Sequence, residues 1–178
     1  MTQRAFDAEL QQSWLDAEEG VLGSLILADG DLYFYGGVEP TTAIPHRAID
    51  YHKAHLGPAV AETLRLLRPE NFYRDRNGWI YQAIVTLKQA GTKVDLITVA
   101  HTLTINGKLK ACGGWAFLAL LVANTPTTVF LPDYAKIVKE GAEMRAAVGR
   151  AHLAEERAFQ GKVDKRTPPQ RHDAGIGF

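Results

Sequence analysis

The sequence predicts an all-helical protein: a compact multi-helix head followed by a long helical hairpin. Three observations carry that expectation. Apolar residues recur at spacings of three and four along most of the chain. Glycine, asparagine and proline punctuate the boundaries between such segments. The run Trp115 to Ala123, WAFLALLVA, is apolar on every side, and a helix of that kind must be covered on more than one face.

Residues 1–15 read as a flexible polar lead-in to the head, which spans 16–110. Asp16 followed by Glu19 resembles a capping box, and Val21, Leu22, Leu25 and Ile26 then follow at helical spacing. This first helix should end near Ala28, where Asp29-Gly30-Asp31 breaks it. Residues 29–58 read as an insertion, its interior irregular, with Gly36-Gly37, three prolines, three histidines and three tyrosines. A short amphipathic helix from Ala59 to Leu67 stops before Pro69, whose ring removes a donor and restricts Arg68.

The helix from Asn77 to Ala90 gathers Trp79, Ile80, Ala83, Ile84 and Leu87 on one face and closes at Gly91. The next takes Asp95 as N-cap and carries Leu96, Val99 and Leu103 to the Asn106-Gly107 turn. The hairpin is expected over 111–160. Its first arm is the apolar run; its second, Leu131 to Phe159, carries Tyr134, Ile137, Val138, Gly141, Met144, Val148 and Ala151 as a stripe packing on the first. Residues 161–178, with Pro168-Pro169 and four basic residues, read as a flexible tail or linker.

Composition narrows the function. Lys plus Arg equals Asp plus Glu, 20 each, so the whole-molecule field does not favour DNA or an anionic membrane. Residues 1–58 carry three basic and nine acidic side chains, and residues 59–111 carry eight and four. An acidic front and a basic middle suit protein contacts better than a nucleic-acid clamp. The single cysteine, Cys112, excludes an intrachain disulfide and a cysteine-based zinc site. No apolar run approaches the ~18 residues of a membrane span, and no signal region opens the chain, so a cytoplasmic location is expected.

Chemistry-bearing motifs are absent or ambiguous. The two Gly-Lys pairs, Gly107-Lys108 and Gly161-Lys162, have Thr102 and Glu156 where a phosphate-binding loop needs glycine, and Leu109 and Val163 where it needs a hydroxyl. The only serines, Ser13 and Ser24, have no strained turn around them to make a nucleophile. Arginines and aromatics interleave from Arg65 to Tyr81, as in single-strand grooves, yet Phe72, Tyr73 and Trp79 fall where a helix junction would bury them. His52 and His55 could share a helical face with Asp50 as metal ligands, although the surrounding prolines and glycines favour a surface loop. No catalytic, cofactor-binding or metal-binding residue is therefore expected.

Several blocks in fixed order resemble the N-terminal domain of DnaB-type replicative DNA helicases. They are Asp16-Ala17-Glu18-Glu19-Gly20-Val21-Leu22-Gly23, Leu67-Arg68-Pro69-Glu70-Asn71-Phe72-Tyr73, Trp79-Ile80-Tyr81, Asp95-Leu96-Ile97-Thr98-Val99-Ala100, Gly107-Lys108-Leu109, Gly113-Gly114-Trp115-Ala116-Phe117-Leu118, Asn124-Thr125-Pro126 and Tyr134-Ala135-Lys136-Ile137-Val138. The resemblance implies a helical head and hairpin that assemble into a collar and serve as a landing site for primase. It also implies that the ATP-dependent motor is a separate domain, so that ATP and magnesium enter only where such a domain follows. Against the family pattern, the segment from Asp29 to Pro58 is expanded.

The expected function is thus a non-catalytic scaffold of a replicative helicase, self-associating as a dimer to hexamer and docking primase or a helicase loader, with weak or no direct DNA binding and no membrane contact. The expected interface residues are Trp115, Phe117, Leu118 and Leu121 on the first arm and Tyr134, Ile137, Val138 and Met144 on the second. On this reading Leu118→Asp or Leu121→Asp lowers the oligomeric mass and spares the head. One alternative is a standalone replication adapter or decoy that binds a host helicase or primase. The other is a helical DNA-binding regulator, against which the helix from Asp95 to Ile105 carries no lysine or arginine.

Overall fold

The computed structural model describes residues 3–29 and 46–164, with side chains described over 9–29 and 56–160. The described residues are helical throughout their regular parts, in the order α1 (Gln3–Asp29), α2 (His46–Leu66), α3 (Asp75–Gln89), α4 (Leu96–Ile105), α5 (Gly114–Ala123) and α6 (Leu131–Asp164), with a short 3₁₀ turn at Pro69–Asn71. The all-helical expectation holds. The chain divides into two compact units, residues 1–142 and 143–178, each described by itself below.

In the first unit α1 is the central element. Val21, Leu22, Leu25 and Ile26 are fully enclosed and join Ile80, Tyr81, Ile84, Val99, Leu103, Leu118, Leu121, Leu131 and Val138 in one core. Helices α3 and α5 both pack on α1, and α4 packs on α3 and α5. The two short helices end alike. Gly91, at φ 67°, donates its amide to the Lys88 carbonyl while Thr92 donates to Leu87; Gly107 and Lys108 repeat this at the end of α4, donating to Thr104 and Leu103. Both are Schellman closures, and the left-handed residue each needs is the glycine that sequence places there. Asp95 caps α4 as expected, accepting from the Thr98 amide at 2.7 Å.

Three boundaries differ from expectation. Helix α1 begins at Gln3, so most of the segment read as a lead-in (1–15) is helical, and Asp16 lies inside the helix rather than capping it. Trp14 supplies the reason: it covers Gly141 of α6, where an added Cβ would lie 3.0 Å from Trp14 Cγ, so this turn has a tertiary partner. Asp16 accepts from Gln12 Nε2 one turn earlier, at 2.7 Å.

Helix α2 begins at His46 and contains Pro58, so 46–58 of the expected irregular insertion is helical. Proline forfeits one hydrogen bond and disfavours the helix before it, but it does not end this one. The remainder of the insertion, 30–45, lies outside the described residues, as do the side chains of Asp50, His52 and His55 that formed the metal candidate. Helix α6 runs to Asp164, past the expected hairpin end at 160, and the rest of the expected tail, 165–178, lies outside the described residues.

Candidate interaction surfaces

The acidic motif of α1 is a structural clasp. Glu18 is buried beside the turn that leads into α3, and its carboxylate accepts from the Tyr73 amide, from the Arg74 amide at 3.5 Å and from Asn77 Nδ2 at 2.8 Å. A carboxylate taken out of water is tolerated when donors converge on it like this. Its neighbour Glu19 pairs with the guanidiniums of Arg76 (3.5 Å) and Arg74 (3.9 Å) of the same segment. At the far end of α1, Asp29 holds Lys88 Nζ at 2.5 Å and the Val94 amide at 3.1 Å, which ties α1 to the end of α3.

These contacts also dismantle the arginine and aromatic platform expected between Arg65 and Tyr81. Phe72 and Tyr81 are buried against each other, with ring centroids 4.9 Å apart. Arg76 lies 3.8 Å over the Phe117 ring and Lys108 lies 4.3 Å from the Trp79 ring centre. Only Tyr73 of those aromatics is well exposed. Burial pushes the Tyr81 phenol up to about 12, with Arg68 opposing weakly, and its hydroxyl lies 3.4 Å from the Thr63 and Leu67 carbonyls. Burial likewise raises the Cys112 thiol, against the pull of Arg76 and Lys108; its sulfur lies 3.7 Å from the Arg76 carbonyl.

The expected interface residues separate. Phe117, Leu118 and Leu121 are buried in the chain's own core, where α5 meets α1 and α4. Contact with α1 is close because Gly23 has no side chain: a methyl there would overlap Thr125 Oγ1 and the Leu121 carbonyl. The first expected hairpin arm is therefore a core helix of the head. Replacing Leu118 or Leu121 by Asp would break that core, contrary to the expectation that the head is spared. Trp115 is instead 50% exposed.

On α6, Val138 is buried, Tyr134 and Ile137 are half-buried, and Met144 is exposed. The stripe read as one surface thus has two roles. Its first part completes the core together with Leu131, Ala135 and Gly141.

Sequence reasoning missed two features. Trp115, Ala116, Ala119, Leu120 and Ala123 are all exposed and recur on one side of α5, opposite Phe117, Leu118 and Leu121. The signal was present in that spacing, hidden because every residue of the helix is apolar. The second is a cleft of about 480 Å³ between α1 and the start of α6, lined by Asp16, Gly20, Asn124, Thr125, Tyr134 and Ile137 among others. Gly20 in its wall lets Tyr134 approach closely, since a Cβ there would lie 2.9 Å from the ring.

In the second unit, α6 from Glu143 onward is exposed on nearly every side. Met144, Val148 (65% exposed) and Phe159 (70% exposed) fall with Ala151 along one face. Among the described residues no three His, Cys, Asp or Glu side chains gather as a metal site, and no helix is long and apolar enough to cross a membrane.

Comparison with known proteins agrees with the fold. Residues 56–140 match the family described as the DnaB-like helicase N terminal domain. The replicative DNA helicase DnaB of Geobacillus stearothermophilus is 32% identical over 114 residues, which are 61% of this chain and 25% of that protein. The corresponding helicase of Mycobacterium leprae is 38% identical over 90 residues, 51% of this chain and 15% of the relative. This chain therefore matches about a quarter or less of these relatives' length. The crystal structure of the N-terminal domain of DnaB helicase from Mycobacterium tuberculosis superimposes with a TM-score of 0.63 at 29% identity, covering 85% of this chain and 91% of that one. This chain carries a DnaB-type N-terminal domain.

Proposed function

Starting from that DnaB-type N-terminal domain, we propose that the chain is a non-catalytic scaffold in DNA replication, which self-associates and presents its head to primase or to a helicase loader. The observation that carries this reading is the distal part of α6. Met144, Val148, Ala151 and Phe159 keep an exposed apolar face along this helix among the described residues. Such a face is stable in water when a second helix covers it, and a sister copy supplies one with the same spacing.

The domain's own task needs no nucleotide on this reading. ATP and magnesium belong to a motor domain, where one follows. The single core that the described helices of the head share supports a docking role, because partner-binding side chains are best held on fixed helices.

Light scattering across a concentration range tests the proposal. The wild-type chain is expected to exceed the monomer mass, and Val148→Asp to return it toward monomer with the head's melting temperature unchanged. A wild-type chain that stays monomeric at every concentration would sink the self-association reading. Primase docking is checked separately, by titrating purified primase of a bacterial replication system against the labelled chain; an absence of saturable binding would remove that part.

A further inference from the structure

The outward face of α5 has a shape that complements itself. Trp115 stands at its N-terminal end, Leu120 flanks its middle, and Ala116, Ala119 and Ala123 form a shallow floor between and beyond them. Trp115 and Ala123 are separated by about 12 Å along the axis, so bulk lies at one end and room at the other. Two such helices laid antiparallel would set each Trp115 over the other's Ala123, Leu120 against Leu120, and Ala119 at the crossing. Laid parallel, they would oppose Trp115 to Trp115 and leave the alanine floors unfilled.

Charge points to the same occupant. From Ala111 to Leu131 the chain has no charged residue, so a second copy meets no like-charge repulsion here, while a charged partner finds no counterion on this helix. The area sets the strength. Trp115 and Leu120 are 50% and 48% exposed; side chains of that size leave about 100 Å² each in water, and three alanines bring the face to about 300 Å² per copy. A pair would bury about 600 Å², roughly half the lower end of stable interfaces, so the contact reinforces an assembly and does not build one alone.

We infer that the face Trp115, Ala116, Ala119, Leu120 and Ala123 is a homotypic contact, pairing antiparallel with α5 of a second copy of this chain. The inference rests on the self-association reading and names a surface for it distinct from the distal part of α6.

Single cysteines test it, because the native Cys112 is buried and the wild-type chain serves as control. Cysteine at the crossing point brings two Cα atoms within disulfide reach. Ala119→Cys is expected to form a disulfide-linked dimer at least about tenfold faster than Glu62→Cys, an exposed position on α2, since pairing raises the local thiol concentration. A mixture of Trp115→Cys and Ala123→Cys is expected to cross-link with each other faster than either does with itself.

Melting temperatures close to wild type confirm that these variants fold. If Ala119→Cys cross-links no faster than Glu62→Cys while wild type exceeds monomer mass, this contact is overturned and self-association stands through another surface. Rapid self-linking of Trp115→Cys would overturn the antiparallel register. A monomeric wild type with no cross-linking removes both.

Discussion

Helix α5 and the distal half of α6 both carry apolar residues that the sequence reads as packed on a neighbour, yet they end in opposite environments. In α5, three large side chains enter the core and the opposite face keeps mainly alanines with Trp115 and Leu120. In α6 from Glu143 to Gln160 the apolar side chains are all exposed, with Leu153 on the side opposite Met144 and Val148. The contrast teaches that covering depends on neighbours rather than on apolarity. Helix α5 lies against the glycine-notched face of α1, while among the described residues of the second unit α6 is the only element.

The largest effect expected is the difference between one acidic substitution on each helix. Leu118→Asp, at a side chain with no exposure, buries an unpaired carboxylate and opens a cavity, and should cost more than about 4 kcal/mol. Thermal unfolding followed by circular dichroism should show the head largely unfolded. Val148→Asp should leave the same transition within about 0.5 kcal/mol of wild type. Equal losses in the two variants would erase the contrast.

A second measurement sharpens what holds the head. The Tyr81 phenol titrates at about 12 in the folded chain against its ordinary value of 10.0. The folded state keeps a proton that the unfolded state releases, so the stabilisation is complete below pH 10 and is lost as pH rises toward 12, by about 2–3 kcal/mol. Tyr81→Phe should flatten that part of the stability profile in denaturant titrations. A profile identical to wild type would show that the phenol is not the titrating group.

The smaller test compares the two adjacent acids of α1. Glu18→Gln replaces an acceptor that two backbone amides and Asn77 share, and should cost about 2 kcal/mol. Glu19→Gln removes ion pairs in which Arg74 and Arg76 are partly in water, and should cost no more than about 1 kcal/mol. The reverse order in urea midpoints would assign the clasp to Glu19.

Much of the fold was legible from local signals. The caps and closures at Asp95, Gly91 and Asn106-Gly107 are local, because each is made by residues within a few positions of one another. The apolar faces of α1, α3 and α4 follow from spacing. The ordered family motifs carried the DnaB resemblance that the comparisons then showed. Less of the candidate surface could be read, since sequence marked all of α5 as apolar and had no means of dividing its faces.

What the sequence by itself determined is therefore helix content, most helix ends within the head and the family, all encoded in short-range hydrogen bonding and in period. Tertiary structure alone decided that α1 extends back to Gln3, that α5 is a core helix rather than a hairpin arm, and that Glu18 is a clasp. Each of these depends on residues far apart in the chain: Trp14 against Gly141, Gly23 against Leu121 and Thr125, Glu18 against Tyr73 and Asn77. Such contacts arise only when separate helices pack, and periodicity within one helix carries no information about which neighbour will fill its face.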